Sequence, residues 1–139
     1  MGARGLIDTG AMLAFLDQND RWHERCVAAL STLSLPLATS AAVLAELFHL
    51  LRNHPRHKAA AWTFVRSAAV TVLAIEDADL PALEELMRKY ADRPMDFADA
   101  TLVRLAERDS LSTIFTIDHD DFETYRIDGR RRFRIVPDR

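Results

Sequence analysis

One cysteine, Cys26, occurs in 139 residues. That excludes an intramolecular disulfide and any zinc cluster built from thiolates, and it suits a reducing cytosol. No apolar run approaches the roughly 20 residues that span a bilayer. The opening Met1-Gly2-Ala3-Arg4-Gly5-Leu6-Ile7-Asp8 lacks the long apolar stretch of a secretory signal. The expectation is a cytoplasmic protein with no membrane attachment. A basic excess is missing too: the formal net charge is -3, so composition does not announce a nucleic-acid binder. Lysine is scarce, with Lys58 and Lys89 the only two among 18 basic residues. Arginine's planar fork suits phosphate contacts, although a GC-rich genome gives the same bias. No repeat, low-complexity stretch or linker divides the chain, which reads as one domain over residues 1–139.

What is present is an ordinary globular composition, 49% apolar and 28% charged, in which apolar runs alternate with helical periodicities. Leu6-Ile7 reads as a short strand ending at Asp8, and Thr9-Gly10 turns into the apolar stretch 11–16. Asp20 is placed to cap a helix carrying Trp22, Cys26, Val27 and Leu30. Residues 35–39 read as a second strand, and Ser40 as the cap of a helix over 41–52. Pro55 opens another helix, to about Ser67. The β-branched run 70–75 is a third strand. A helix follows from about Asp79 to Tyr90, Pro94 breaks the chain, and a further helix spans 96–108. Residues 113–117 form a fourth strand ending at Asp118, and 133–136 a short last one. Strands alternating with helices imply crossover connections and a mostly parallel sheet of four to five strands covered on both faces. In such sheets ligands sit beyond the carboxyl ends of the strands, which directs attention to the acids there.

Asp8 and Asp118 each follow a strand. Aspartate is also common there because it favours turns and caps. Glu46 is the only ionised side chain in the apolar helix Ala41–Leu51. Burying a lone carboxylate is costly without compensation, and a narrow solvent-facing strip shared with His49 is the other reading. Asp96 and Asp99, three apart on a helix, share one face, with Asp96 also suited to cap it. Asp120 and Asp121 extend the acids after Asp118. Brought to one edge, four carboxylates from four elements would repel, and hard oxygen ligands of this kind select Mg²⁺ or Mn²⁺. Of the five histidines only His54 and His57 stand at a ligand-like spacing, beside Pro55, where a surface role fits better. Trp22, Trp62, Phe48 and Phe64 read as core or interface residues. The Arg130, Arg131, Arg132 and Arg134 cluster either contacts phosphates or is a solvated loop.

The pieces Leu6-Ile7-Asp8-Thr9, Thr39-Ser40 to Glu46, Met95-Asp96-Phe97-Ala98-Asp99-Ala100 and Thr116-Ile117-Asp118 to Asp121-Phe122 resemble, in order and spacing, the PIN-domain (PilT N-terminus) family, and within it the VapC-like toxins. The resemblance implies a three-layer α/β fold. It implies that Asp8, Glu46, Asp99 and Asp118 form the metal-binding catalytic set, with Asp96 and Asp121 accessory. Thr9, Ser40 and Thr116 would be hydroxyls orienting carboxylates or water. It also implies metal-dependent endonucleolytic cleavage of RNA, a homodimer, and silencing by a small antitoxin. A processing nuclease without an antitoxin and an inactive RNA- or protein-binding module are the alternatives within the family. Outside it, Asp8-Thr9-Gly10 looks like the loop of retropepsin-like proteases, but that fold is nearly all β. A receiver domain needs a lysine near a late strand, which neither Lys58 nor Lys89 supplies.

Overall fold

The computed structural model describes residues 2–139. Its elements run β1 (Gly5–Ile7), α1 (Thr9–Leu16), α2 (His23–Thr32), β2 (Leu37–Thr39), α3 (Ala41–Leu50), α4 (Pro55–Val65), β3 (Val70–Val72), a 3₁₀ turn (Asp77–Asp79), α5 (Leu80–Lys89), α6 (Phe97–Asp109), β4 (Thr113–Phe115), α7 (His119–Thr124) and β5 (Arg134–Val136). The five strands form one sheet in the order β3-β2-β1-β4-β5, and every pairing is parallel. Leu6 lies opposite Ala38 on one side and Ile114 on the other.

Helices flank the sheet. All residues of β1 and β2 are buried, which is why their sequences are continuous apolar runs rather than alternating ones. The edge strands β3 and β5 are partly exposed. Gly5 sits where β1 is squeezed between its neighbours: a Cβ there would lie 3.0 Å from the Thr113 carbonyl oxygen and 3.2 Å from a Leu37 methyl. On the outer side of α3 and α4, Trp62, about half exposed, stacks on Phe48 with ring centroids 4.4 Å apart. Phe64 is buried.

Local signals set most helix starts as read from the sequence. Ser40 Oγ accepts from the Val43 amide at 3.3 Å, and Pro55 stands in the first turn of α4. Three readings need correction. Asp20 does not cap α2; its side chain accepts from Trp22 N at 2.8 Å and its carbonyl from His23 N, making a turn just before the helix. The third strand stops at Val72 rather than 75, because β2, its only partner, ends at Thr39; the last ladder bond is Leu73 N to Thr39 O. The fourth strand ends at Phe115 rather than 117, and Thr116 turns its hydroxyl to Asp8. The acids after Asp118, to which the sequence reading assigned no element, form the helix α7, capped by Asp118 itself.

The chain fills the sheet from β1 outward through β2 to β3, then returns to lay β4 and β5 on the other side of β1. The carboxyl ends of β1 and β4 therefore flank the topological switch point, where parallel sheets open a crevice. Far from it, buried Asp79 accepts from Arg104 and Arg108, each at 2.8 Å, and from the Glu76 amide. Those contacts, the amide first, hold its carboxyl below the usual range and tie the start of α5 to the far half of α6.

Gly5→Ala tests the squeeze in the sheet. Because the clash is with backbone, the substitution is expected to cost about 1–3 kcal/mol, read as a lower denaturant midpoint at unchanged slope.

Candidate metal centre

Asp8 leaves β1 in extended conformation and caps α1. Its Oδ1 accepts from Ala11 N at 3.0 Å and its other oxygen from the Thr116 hydroxyl. Thr116 in turn accepts from the Asp118 amide at 3.0 Å, so one hydroxyl couples the ends of β1 and β4. Asp118 caps α7 through Asp121 N. Asp96 caps α6 through Asp99 N at 2.7 Å, and this places Asp99 in the first turn, facing the same crevice. Glu46 reaches it from α3. Together with Asp121 these acids line a cleft of about 220 Å³.

Carboxylate oxygens of Asp99, Asp118 and Asp121 lie within 4.8 Å of one another. At that distance each ionised pair repels by roughly 3 kcal/mol for an effective dielectric of about 20. Proton affinities respond accordingly. Burial pushes the Asp8 carboxyl up to about 6, against the bonds from Thr116 and Ala11, and the charges of Asp118 and Glu46 push the same way. Asp99 is raised to about 8, by burial first and then by Asp96, Asp8 and Asp118, while the Tyr125 bond opposes. Asp118 rises to about 6 through desolvation and its neighbour Asp121. The lining holds no cysteine or histidine, so every side-chain charge offered is a hard oxygen, the donor set that fits Mg²⁺ or Mn²⁺.

The other expected participants make different contacts. Thr9 lines the cleft, but its hydroxyl donates to Val43 O, joining α1 to α3, and the Ser40 hydroxyl pairs with Thr101 at 2.7 Å, joining α3 to α6. Each finds a helix nearer than an acid. Arg134 begins β5, at the amino edge of the sheet. Arg131 pairs with Asp128, whose amide binds Glu107 in the far half of α6. Arg131 is thus tied to the end of α6 away from Asp99, eight residues on, about 12 Å at 1.5 Å per residue, with the exposed Arg130 and Arg132 on either side of it in the chain.

Two residues that sequence reasoning missed take part. Tyr125, almost fully buried, donates its hydroxyl to Asp99 Oδ2 at 3.0 Å. Its ring is fixed edge-on between Tyr90 and Phe122. Arg93 pairs with Asp121 at 3.0 Å. The only hint in the sequence was that a tyrosine three residues past Phe122, after a run of acids, has a polar tip to satisfy.

Known proteins resemble this chain in sequence and in fold. The family model for the PIN domain matches residues 5–128. The chain belongs to that family. Ribonuclease VapC26 of Mycobacterium tuberculosis (strain ATCC 25618 / H37Rv) is 29% identical over 134 residues, covering 95% of this PIN domain chain and 99% of that protein. Among solved structures, M. tuberculosis VapC20, described as a sarcin–ricin loop cleaving toxin, superposes with a TM-score of 0.74 at 23% identity, over 83% of this chain and 90% of that one. A toxin–antitoxin complex from Klebsiella pneumoniae gives 0.66 at 18%, over 95% of both chains. VapBC2 from Rickettsia felis, bound to a DNA fragment from its promoter, gives 0.67 at 13%, over 94% of this chain and 96% of that one.

Because Asp8 and Asp99 bind their protons more tightly folded than unfolded, the stability those protons give is full below about pH 4. It is lost as pH rises through about 6 and about 8. In metal-free protein, Asp99→Asn should therefore gain on wild type as pH rises, with a thermal midpoint higher by about 3 °C or more at pH near 8.5. Equal midpoints across the range would show that Asp99 is not strained. Tyr125→Phe removes the bond that favours ionised Asp99 and is expected to weaken Mn²⁺ binding about tenfold by calorimetry.

Proposed function

We propose that this PIN domain is a metal-dependent endoribonuclease, the toxin of a toxin–antitoxin pair, with Asp8, Glu46, Asp99 and Asp118 holding Mg²⁺ or Mn²⁺ and Asp121 beside them. The observation that carries the reading is the gathering of carboxylates from separate elements at the switch point, with Asp8, Asp99 and Asp118 all pushed toward protonation. A stably folded chain has little reason to keep such a cluster unless a cation relieves it.

A bound divalent ion supplies a water of lowered pKa and positive charge beside the phosphodiester. The chain's own residues do the rest. Asp8 is held at both oxygens by Ala11 N and Thr116, and Asp99 by Tyr125, so neither must reorient when the site is loaded. Thr116 fixes the loop that delivers Asp118. The Glu46 carboxylate makes no hydrogen bond to the described residues, so both its oxygens are open to the cation the set would hold.

RNA is the proposed substrate, and a small antitoxin protein and a second copy of this chain are the proposed partners. The relatedness to Ribonuclease VapC26 and the fold shared with the Klebsiella toxin–antitoxin complex support this reading. The intact acids weigh against an inactive binding module. No helix among the described residues is long and apolar enough to cross a membrane, and a cytoplasmic site of action is proposed.

Purified protein should cut RNA in Mn²⁺ or Mg²⁺ and not in EDTA, and Asp99→Asn should lose at least about 100-fold in rate while keeping its fold by circular dichroism. Cleavage by Asp99→Asn at the wild-type rate would overturn the assignment.

A further inference from the structure

A cleft surrounded by Asp8, Glu46, Asp96, Asp99, Asp118 and Asp121 repels the polyanion it is proposed to cut. Among the described residues, one cation forms an ion pair with any of these six: Arg93, whose Nη1 lies 3.0 Å from Asp121 Oδ1. The other arginines in ion pairs are engaged elsewhere: Arg88 with Glu84 and Glu85, Arg104 with Asp79, Arg108 with Asp79 and Asp109, Arg131 with Asp128, and Arg139 with Asp120 and Glu123.

Arg93 comes from the link between α5 and α6, and the backbone of that link is anchored. Its amide donates to the Tyr90 carbonyl at 3.0 Å, and the buried Tyr90 ring meets Tyr125, which holds Asp99. On the other side Pro94 lines the cleft, Met95 is buried and Asp96 caps α6. The backbone at Arg93 is thus fixed by the same groups that aim Asp99. Its side chain is 43% exposed and makes a single hydrogen bond, through one nitrogen to one oxygen. A guanidinium carries five N–H donors in a fork that matches phosphate, so most of its donors remain free. Exposed pairs of this sort exchange partners readily.

We propose that Arg93 is the substrate-phosphate residue of this site: while anchored beside Asp121, it donates its free N–H groups to a non-bridging phosphate oxygen of the RNA strand entering the cleft. The proposal rests on the reading of the chain as an RNA-cutting enzyme, and its test separates the two.

Binding of a fluorescein-labelled 20-nucleotide single-stranded RNA is followed by anisotropy in Ca²⁺ across a range of salt, with gels showing the strand intact, and Mn²⁺ affinity is measured separately by calorimetry. Arg93→Ala is expected to weaken RNA binding about tenfold at low salt and to flatten the plot of log affinity against log salt by about 0.7, the contribution of one phosphate contact on a single strand. Arg93→Lys should keep the slope and recover part of the affinity. Mn²⁺ affinity of Arg93→Ala should stay equal or rise, since Asp121 is released. An unchanged slope in Arg93→Ala overturns the proposal, as does a slope lost in Arg130→Ala instead. A parallel fall in Mn²⁺ affinity also overturns it, since Arg93 would then only prop Asp121. If wild type itself binds RNA with no salt dependence and cuts none, the nuclease reading fails and the proposal with it; wild type that binds and cuts beside an Arg93→Ala that binds equally well removes the proposal alone.

Discussion

Carboxylates crowded at the ends of β1 and β4 with too little water between them are the constraint around which this molecule is arranged. The sheet order sets them there: with β1 central and β4 added after the chain returns, two strand ends deliver Asp8 and Asp118 to one crevice. Helix starts bring Asp96 and Asp99, and α3 brings Glu46. The surrounding contacts limit the strain in two ways. Hydrogen bonds from Thr116, Ala11 and Tyr125 favour the ionised forms. The starts of α1, α6 and α7 also point their amides at the acids, where the positive end of each helix dipole lies. These terms lessen the repulsion without cancelling it, as the raised proton affinities of Asp8 and Asp99 record.

Positive charge is distributed to match. The arginines are mostly kept from the cleft: Arg104 and Arg108 clamp α6 to the start of α5 through Asp79, and Arg139 ties the last residue to α7. Within reach of the acids stands Arg93, paired to Asp121. A cluster starved of internal cations stays receptive to an external one, whereas a site filled with its own guanidinium groups would have no electrostatic need of a metal.

Most of this was legible in the sequence because it is written locally. Apolar runs marked the strands, Ser40, Pro55 and Asp96 marked helix starts, Asp8 followed its strand directly, and Asp118 stood at the end of the apolar run that holds β4. The parallel sheet followed from those signals, while the choice of Asp8, Glu46, Asp99 and Asp118 as the set was implied by the family resemblance. What could not be read depends on partners far away in the chain. The third strand stops early because β2 gives it nothing further to pair with. Thr9 and Ser40 spend their hydroxyls on neighbouring helices. Tyr125 reaches Asp99 across 26 residues and Arg93 reaches Asp121 across 28, separations at which no local pattern reports. The helix α7 escaped notice because its six residues, half of them charged, carry too short an apolar pattern to separate from a solvated loop.

Asp8, Asp96 and Asp118 each do double service, as acids of the cleft and as caps of α1, α6 and α7. Asparagine and serine cap about as well as aspartate, and alanine or valine far worse. A descendant of this chain that no longer cut anything would still be held by folding alone to a short polar residue at each of these positions. The retention of such residues would then say little about whether that descendant is a working enzyme. Glu46 caps nothing and accepts no bond that the fold requires, so drift there would record the loss of chemistry first.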